Sequence, residues 1–179
     1  MPEAAACDLS FRAASETDVP ALCALVNSAY RGESSRAGWT TEADVLGGQR
    51  IDPEMARELL GKPGVRVELA FSSKAVLVGC VELERRADRC YLGMLTISPA
   101  LQGKGLGHRL LARSESLARE WGCPLMVMKV IEGRDTLIAF YERRGYKRTG
   151  KTEPFPDDPK YGLPKKKLLF VELTKSLGS

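Results

Sequence analysis

The sequence is poor in the residues that build several common catalytic centres. It contains one histidine, His108, in 179 residues. A zinc site made of several histidines is therefore excluded, and a Ser-His-Asp triad would have to use that one residue. None of the five cysteines forms a Cys-x-x-Cys pair, and their odd number favours reduced side chains over a disulfide framework. We expect no metal centre in this chain.

Long hydrophobic runs are also absent. No apolar stretch approaches the roughly 18 residues that a membrane span requires, and residues 1–15 lack the basic start and apolar centre of a signal peptide. No repeat or linker divides the chain, and its 44% hydrophobic content is enough for one core. We therefore expect a single cytoplasmic domain over residues 1–179, with no membrane partner.

Positive charge is present in mild excess, with a net charge of +4. The densest basic run is Lys165 to Lys167, which could be a nucleic-acid patch or an exposed strand entry kept soluble by its lysines. No run of aromatic residues accompanies the lysines, which favours the second interpretation. We expect no nucleic-acid partner, and an anionic small molecule would suit the charge equally well.

Strand and helix patterns alternate along the rest of the chain. A strand and a helix come first, and a second helix then leads into three strands whose turn residues indicate an antiparallel meander. The order strand, helix, strand, helix, strand follows and predicts an α/β mixed sheet covered by helices. The predicted strands are 9–14, 65–72, 75–86, 89–99, 124–130, 145–151 and 166–175, and the predicted helices are 17–30, 52–61, 106–121 and 134–144.

Helix ends and loops carry local signals. Thr17 is the predicted cap of the first helix because it puts Pro20 in the first turn, and Asp52 caps the second helix. Residues 31–48 form a loop with one helical turn at 41–46, and the proline-rich segment 153–164 forms a long irregular loop.

Three glycines at alternate positions, Gly103, Gly105 and Gly107, separate the strand at 89–99 from the long helix. Backbone N–H groups at a helix N-terminus attract anions, and glycine lets a phosphate approach them closely. The spacing fits neither a Walker A loop, because Lys104 is followed by Gly105, nor the pattern GxGxxG. Spacing alone supports a phosphate site and a merely tight turn equally.

The segment ISPALQGKGLGHRLL resembles the central motif of the GNAT superfamily of N-acetyltransferases, with Gln102, Gly105 and Gly107 at the motif positions. A second segment, AFYERRGYKRTG, is similar to the family's helix-to-strand junction, with Tyr141 four residues before Gly145. The order of strands and helices matches as well, so the resemblance covers nearly the whole chain. It implies the GNAT-like acyl-CoA N-acyltransferase fold, a central, mostly antiparallel mixed sheet flanked by helices.

The resemblance also implies a cofactor, acetyl-CoA, and a site for it. Backbone amides of residues 102–107 would hold its pyrophosphate, and the strand at 95–97 would pair with its pantetheine arm. Lys104 and Arg109 are natural partners for the negative charge, and His108 is a surface or phosphate-edge residue rather than a base. The implied cofactor-binding residues are Leu95, Thr96, Ile97, Gln102, Gly103, Lys104, Gly105, Leu106, Gly107, His108 and Arg109.

Acetylation of an amine requires two proton-handling groups, because an alkylammonium must lose a proton and the thiolate of coenzyme A leaves more easily when a hydroxyl donates to it. By its place in the motif, Tyr141 is the implied donor. Family members can carry a glutamate twelve residues before this tyrosine, where this chain has Lys129, and the frequent asparagine before the same helix is replaced by Arg134 or Asp135.

The base must therefore come from elsewhere. Glu82 and Glu84 share one face of their strand, and Glu82 is the first candidate. Glu42 is another, in a loop that usually lines the acceptor pocket in the family. With Trp39 and Thr40 it forms the implied substrate-binding set.

The acceptor class stays open at this point. A small-molecule or peptide amine is expected, and a homodimer is possible because dimers are common in the family. The main alternative is an acyl-CoA-binding sensor domain without turnover, and a nucleic-acid-binding protein that uses the lysine run is a third.

Overall fold

A computed structural model describes residues 8–36, 38, 41–44 and 46–178. Its strands are β1 Ser10–Ala13, β2 Leu46–Gly47, β3 Val65–Phe71, β4 Leu77–Arg86, β5 Arg89–Ile97, β6 Leu125–Ile131, β7 Lys147–Pro154, β8 Leu163–Pro164 and β9 Leu169–Ser176. Its α-helices are α1 Val19–Tyr30, α2 Gly32–Ser35, α3 Pro53–Gly61, α4 Leu106–Glu120 and α5 Asp135–Glu142.

Seven strands form one sheet in the order β1-β3-β4-β5-β6-β9-β7. Only β5 and β6 pair in parallel, and the remaining neighbours are antiparallel. β2 and β8 form a separate two-stranded ribbon. The predicted α/β mixed sheet and its three-strand meander are confirmed.

Two apolar layers cover the faces of the sheet. α4 and α5 bury one set of side chains against one face, and α1 and α3 bury another against the opposite face. Alternation along β4 explains the division, because Val81 and Leu83 belong to the first layer and Cys80 to the second. Burial raises the pKa of the Cys80 thiol to about 12. This cysteine is reduced, as the sequence indicated, and it packs in the core.

The first helix begins differently from the prediction. Thr17 is not its cap: it lies inside a 3₁₀ turn, Glu16–Asp18, and α1 begins at Val19 with Asp18 at the N-cap position. The carboxylate of Asp18 accepts hydrogen bonds from the Ser15 N–H at 2.8 Å and from Arg12 at 2.8 Å, which holds this turn in place. Pro20 does lie in the first turn, and Asp52 does cap α3 by accepting from the Met55 N–H at 2.8 Å.

The two long loops contain short regular segments. In the first, the predicted turn appears as one hydrogen bond from the Leu46 N–H to the Glu42 carbonyl at 2.8 Å, while the regular helical turn is α2. In the second, a 3₁₀ turn at Pro159–Tyr161 precedes β8, which pairs with β2. Pairing of the two loops brings segments about 120 residues apart together beside the sheet.

Within the described ranges, no helix is both long enough and apolar enough to cross a membrane. The same residues contain no group of three or more His, Cys, Asp or Glu side chains arranged to hold a metal ion.

Candidate active site

The sheet opens at its centre. The parallel pairing of β5 with β6 ends at Leu92 opposite Met128, although β5 continues to Ile97 and β6 to Ile131. On its other side β5 contains a bulge, because two of its residues, Met94 and Leu95, lie opposite the single β4 residue between Cys80 and Glu82. Met94 adopts a left-handed φ of 53°, which is strained for a residue with a side chain. The bulge turns β5 away from β6 and leaves a cleft between them.

Three cavities run along this cleft and share Leu95 and Leu137 in their walls. One, of about 280 Å³, lies against the glycine turn, and we call it the glycine-turn cavity. Another, of about 130 Å³, is lined by Arg31, Arg50 and Arg134, and we call it the arginine cavity. A small cavity between them is lined by Tyr141.

The glycine turn has the geometry of an anion cradle. Gly103 and Gly105 have left-handed φ values of 76° and 81°, and Gly105 is the N-cap of α4. Apart from its chain neighbours, no described residue has an atom within 4 Å of where a Cβ would stand on either glycine, so this part of the turn faces open space. The first intrahelical bond of α4 is donated by the Arg109 N–H, which leaves the N–H groups of the first turn available to a ligand.

Cations beside this cradle come from the two residues that follow α5 rather than from the turn itself. Arg143 and Arg144 line the glycine-turn cavity together with His108. The Arg144 guanidinium lies 3.7 Å from the Phe140 ring centroid, donates to the Phe140 carbonyl at 2.8 Å, and donates to His108 Nδ1 at 3.0 Å. Lys104 is exposed, and neither it nor Arg109 lines this cavity. Sequence reasoning missed Arg143 and Arg144, although they lie within the tyrosine motif.

The β5 segment 95–97 forms a wall of the cleft. The Leu95 carbonyl accepts from the Tyr30 hydroxyl at 2.5 Å, and the Ile97 carbonyl accepts from Gln102 Nε2 at 3.0 Å. The side chain of Gln102 therefore braces β5 against the turn. Thr96 lines the small middle cavity, and its buried hydroxyl is engaged, since it donates to the Met94 carbonyl at 2.9 Å. Leu106, also on the predicted cofactor set, is buried in the core beneath the turn.

Tyr141 lies where the cavities meet. Its ring is buried and packs edge-on against Phe140 and Tyr146, with ring centroids 5.2 Å and 5.8 Å away. Burial raises the pKa of its hydroxyl well above the usual range, and the nearby Tyr30 acts in the same direction. No described residue hydrogen-bonds with this hydroxyl, although Tyr141 lines both the arginine cavity and the small middle cavity. The hydroxyl is thus protonated and neutral, and its residue lines a space that a ligand can enter.

Glu82 lies across the bulge from this cleft. It pairs with Gly93 on β5, and its Oε2 lies 3.3 Å from where a Gly93 Cβ would stand. Gly93 lines the arginine cavity, and Glu82 lines an adjacent cavity that shares Tyr161 with it. Burial raises the pKa of Glu82, while the positive charge of Arg50 opposes that rise. The described residues provide Glu82 with no hydrogen bond or ion pair, as expected of a carboxylate that is free to take a proton.

The other candidate carboxylates are engaged by cations. Glu84 contacts Arg86 at 2.6 Å and Lys62 at 2.9 Å, and the hydrogen bond from Arg86 lowers its pKa. Glu42 is buried between Arg31 and Arg134, each 2.9 Å from one of its oxygens. Glu42 does line the arginine cavity, as the loop's predicted role requires, but its charge is already neutralised.

The rest of the arginine cavity was not found from the sequence. Its remaining walls include Arg50, Phe155, Tyr161 and Phe170, which come from both long loops and from β9. Lys129, which holds the place of the family's glutamate, lines the cavity and pairs with Glu153 at 2.6 Å. The predicted contacts Trp39 and Thr40 fall outside the described residues.

Comparisons with known proteins agree with this geometry. The family model described as the acetyltransferase (GNAT) family matches residues 25–146. An IAA acetyltransferase of Azospirillum brasilense is 29% identical over 104 residues, which is 57% of this chain and 67% of the relative.

Solved structures match the fold at lower identity. A ribosomal-protein-alanine N-acetyltransferase from Brucella melitensis has a TM-score of 0.69 at 22% identity, covering 93% of this chain and 99% of the other. The structure of yncA from Salmonella typhimurium, which contains its cofactor acetyl-CoA, has a TM-score of 0.65 at 22% identity, covering 96% and 95%.

The opened mixed sheet and these likenesses define the acyl-CoA N-acyltransferase fold. The chain belongs to the GNAT acetyltransferase family, since the family model covers more than half of it. The resemblance and the fold class predicted from the sequence are therefore confirmed. The family uses acetyl-CoA and acetylates amines, so a sensor domain without turnover is not favoured.

Proposed function

We propose that this protein is an acetyl-CoA-dependent N-acetyltransferase that acetylates a primary amine directly. The observation that carries the proposal is Tyr141, which lines the arginine cavity and the small middle cavity and whose hydroxyl has no hydrogen-bond partner among the described residues. A donor between the two larger cavities is within reach of molecules entering from both ends of the cleft.

The residues at the glycine turn fit acetyl-CoA. Two left-handed glycines keep Cβ atoms away from a cradle of backbone N–H groups, which suits a pyrophosphate. Arg143 and Arg144 add positive charge beside it, and Leu95, Ile97 and Leu137 provide an apolar wall toward Tyr141. The Leu95 and Ile97 carbonyls each accept one side-chain bond already, but a carbonyl oxygen has a second lone pair for a pantetheine amide.

Glu82 and Tyr141 have separate roles in the reaction, as base and as proton donor. When bound, acetyl-CoA supplies the acetyl group as a thioester, whose C–S bond breaks as the N–C bond to the amine forms. Glu82 takes the proton that the amine loses, directly or through a water, and its burial makes it a stronger base than an exposed glutamate. Tyr141 holds its proton at neutral pH and donates it, or a hydrogen bond, to the departing sulfur.

The test is a paired measurement on the purified chain. Calorimetry measures acetyl-CoA binding, and a thiol reagent together with mass spectrometry measures coenzyme A release and acetylated product over a panel of amines. We expect binding, and amine-dependent release matched by product. Binding without release for any amine would support the sensor alternative, and absence of binding would overturn both. The cytoplasmic location and the homodimer expected from the sequence stay predictions, which fractionation and light scattering would check.

A further inference from the structure

The arginine cavity is strongly cationic. Four basic side chains line it, Arg31, Arg50, Lys129 and Arg134, against one carboxylate, Glu42. A cavity with this balance repels a polycation and attracts an anion. The charges of this cavity therefore indicate which charge the acceptor carries, which the glycine turn and Tyr141 do not.

Most of these charges are satisfied within the protein. Glu42 forms ion pairs with both Arg31 and Arg134 and accepts a hydrogen bond from Arg134, and Lys129 is paired with Glu153 outside the cavity lining. One carboxylate shared by two guanidinium groups leaves that cluster with a positive charge. In addition, Arg31 is only 5% exposed, and its buried Nε has no hydrogen-bond partner in the part of the chain that the structure describes.

Arg50 is different, because its guanidinium forms neither a hydrogen bond nor an ion pair with any described residue. Its side-chain contact is with the face of Tyr30, whose ring centroid lies 5.8 Å from the guanidinium carbon. Its backbone is fixed, since the Arg50 N–H donates to Asn27 Oδ1 at 2.7 Å and the next N–H donates to the same oxygen at 3.1 Å. A firmly anchored arginine thus presents five unused N–H donors at a ligand cavity.

We propose that the acceptor is an amine that also carries an anionic group, as a free amino acid does, and that Arg50 binds that group. This inference rests on the proposed function. Arg50 suits a carboxylate because its planar guanidinium can donate two parallel hydrogen bonds. Glu82 lies beside the arginine cavity, because it pairs with Gly93 of the cavity lining and itself lines the adjacent cavity, so the site offers a carboxylate toward the ammonium and a guanidinium toward the anion. This dipolar arrangement matches a zwitterion and disfavours a polyamine.

The test compares matched acceptors with matched variants. The probes are the twenty amino acids, the carboxamide of each, and spermidine, and the readout is kcat/KM for acetylation together with its split into kcat and KM. The variants are Arg50→Gln and Arg50→Lys. Arg57→Gln is the control, because Arg57 lies on α3, pairs with Glu16 and is not in the cavity lining.

We expect at least one amino acid to be acetylated 10-fold or more faster than its carboxamide. Arg50→Gln should lower kcat/KM for that amino acid 10- to 100-fold more than for its carboxamide, mainly through KM, since a charge-assisted hydrogen bond is lost only for the acid, whereas any change in the pKa of Glu82 affects both acceptors alike. Arg50→Lys should restore part of the loss, and acetyl-CoA affinity should not change in any variant.

Two outcomes overturn the inference alone: carboxamides or spermidine used as well as the acids, or an Arg50→Gln effect of equal size on acids and carboxamides. Acetyl-CoA bound with no acetylation of any probe amine would count against the proposed function, and the inference would fall with it. The two failures are therefore distinguishable.

Discussion

The two ends of the cleft are built in different ways. At the glycine-turn cavity, the polar groups that face a ligand come from two continuous segments, the turn after β5 and the residues just after α5. Many of these groups are backbone N–H groups at the start of α4. At the arginine cavity, the groups that face a ligand come from α1, both long loops, β5, β6 and β9, and nearly all of them are side chains. A cofactor site of the first kind depends on backbone shape, whereas a specificity site of the second kind depends on individual charges. Substitutions that change the backbone should therefore matter most at the glycine-turn cavity, and substitutions that remove a charge should matter most at the arginine cavity.

The largest effect is expected at Tyr141, where the two ends meet. Tyr141→Phe removes one oxygen from a buried ring that keeps its aromatic neighbours. Turnover should fall about 10²- to 10⁴-fold, as expected for lost acid–base help, while acetyl-CoA affinity stays nearly constant. Steady-state kinetics and calorimetry measure the two quantities.

Tyr146→Phe is the matched control for that substitution. Its hydroxyl donates to Glu115 at 3.1 Å in a buried network with Lys175, away from the cleft lining. The control should lose about 1 to 3 kcal/mol of stability, the range for a hydrogen bond to a charged group, with turnover retained. Equal turnover in Tyr141→Phe and the parent protein would mean that another group supplies the proton.

The next largest effect is expected from Glu82→Gln, which tests whether the general base lies at the arginine-cavity end of the cleft. We expect kcat/KM to drop about 100-fold, at the lower end for general base catalysis. Because burial raises the pKa of Glu82, kcat/KM of the parent protein should fall as the pH is lowered through that raised pKa, above the ordinary value of about 4.3. The variant should lack this acid limb, and Glu84→Gln, on the same strand, should retain it. An acid limb that persists in Glu82→Gln would assign the base elsewhere.

The same pKa shift has a consequence for stability. The folded state holds the proton of Glu82 more tightly than the unfolded chain does, so stability decreases as the pH rises from the unfolded pKa through the raised folded pKa. At neutral pH, Glu82→Gln removes a buried charge and should raise the melting temperature. Higher stability with lower activity would indicate a residue kept for function rather than for folding.

These differences explain what could be predicted from the sequence. Gly103, Gly105 and Tyr141 carry local signals, a turn before a helix and an aromatic before a glycine, and the structure places them along one cleft. The three-strand meander follows from alternation and turn residues, whereas the place of β9 between β6 and β7 has no such local signal. Arg50 carries no such signal, because nothing near it in the chain shows that it lines a cavity with Lys129 and Phe170. Sequence distance to the glycines suggests Lys104 as a phosphate partner, whereas in the structure Arg144 lines the cavity, held there by its bonds to Phe140 and His108.

A moderate effect is expected from the backbone of the glycine turn, and α4 offers a control at its other end. Gly105 and Gly122 have φ values of 81° and 73°, and no described residue beyond their chain neighbours has an atom within 4 Å of where a Cβ would stand on either. Alanine at each should cost about 1 to 2 kcal/mol of stability through left-handed strain. Only Gly105→Ala should weaken acetyl-CoA binding, by about 10-fold, because a Cβ and a shifted turn disturb the cradle. Equal binding by both variants would mean that the turn is merely tight.

The smallest effect is expected from a charge at that same turn. Lys104 is exposed and does not line the glycine-turn cavity, so Lys104→Gln should change the acetyl-CoA Kd by less than about fivefold, the range of an exposed ion pair, and less still at high salt. Arg144→Gln should weaken binding more, because Arg144 lines the cavity and is held there by Phe140 and His108. Titrations at two salt concentrations would rank the two substitutions. If Lys104→Gln proved the more damaging, the cofactor end would also depend on an individual side-chain charge, and its contrast with the arginine cavity would disappear.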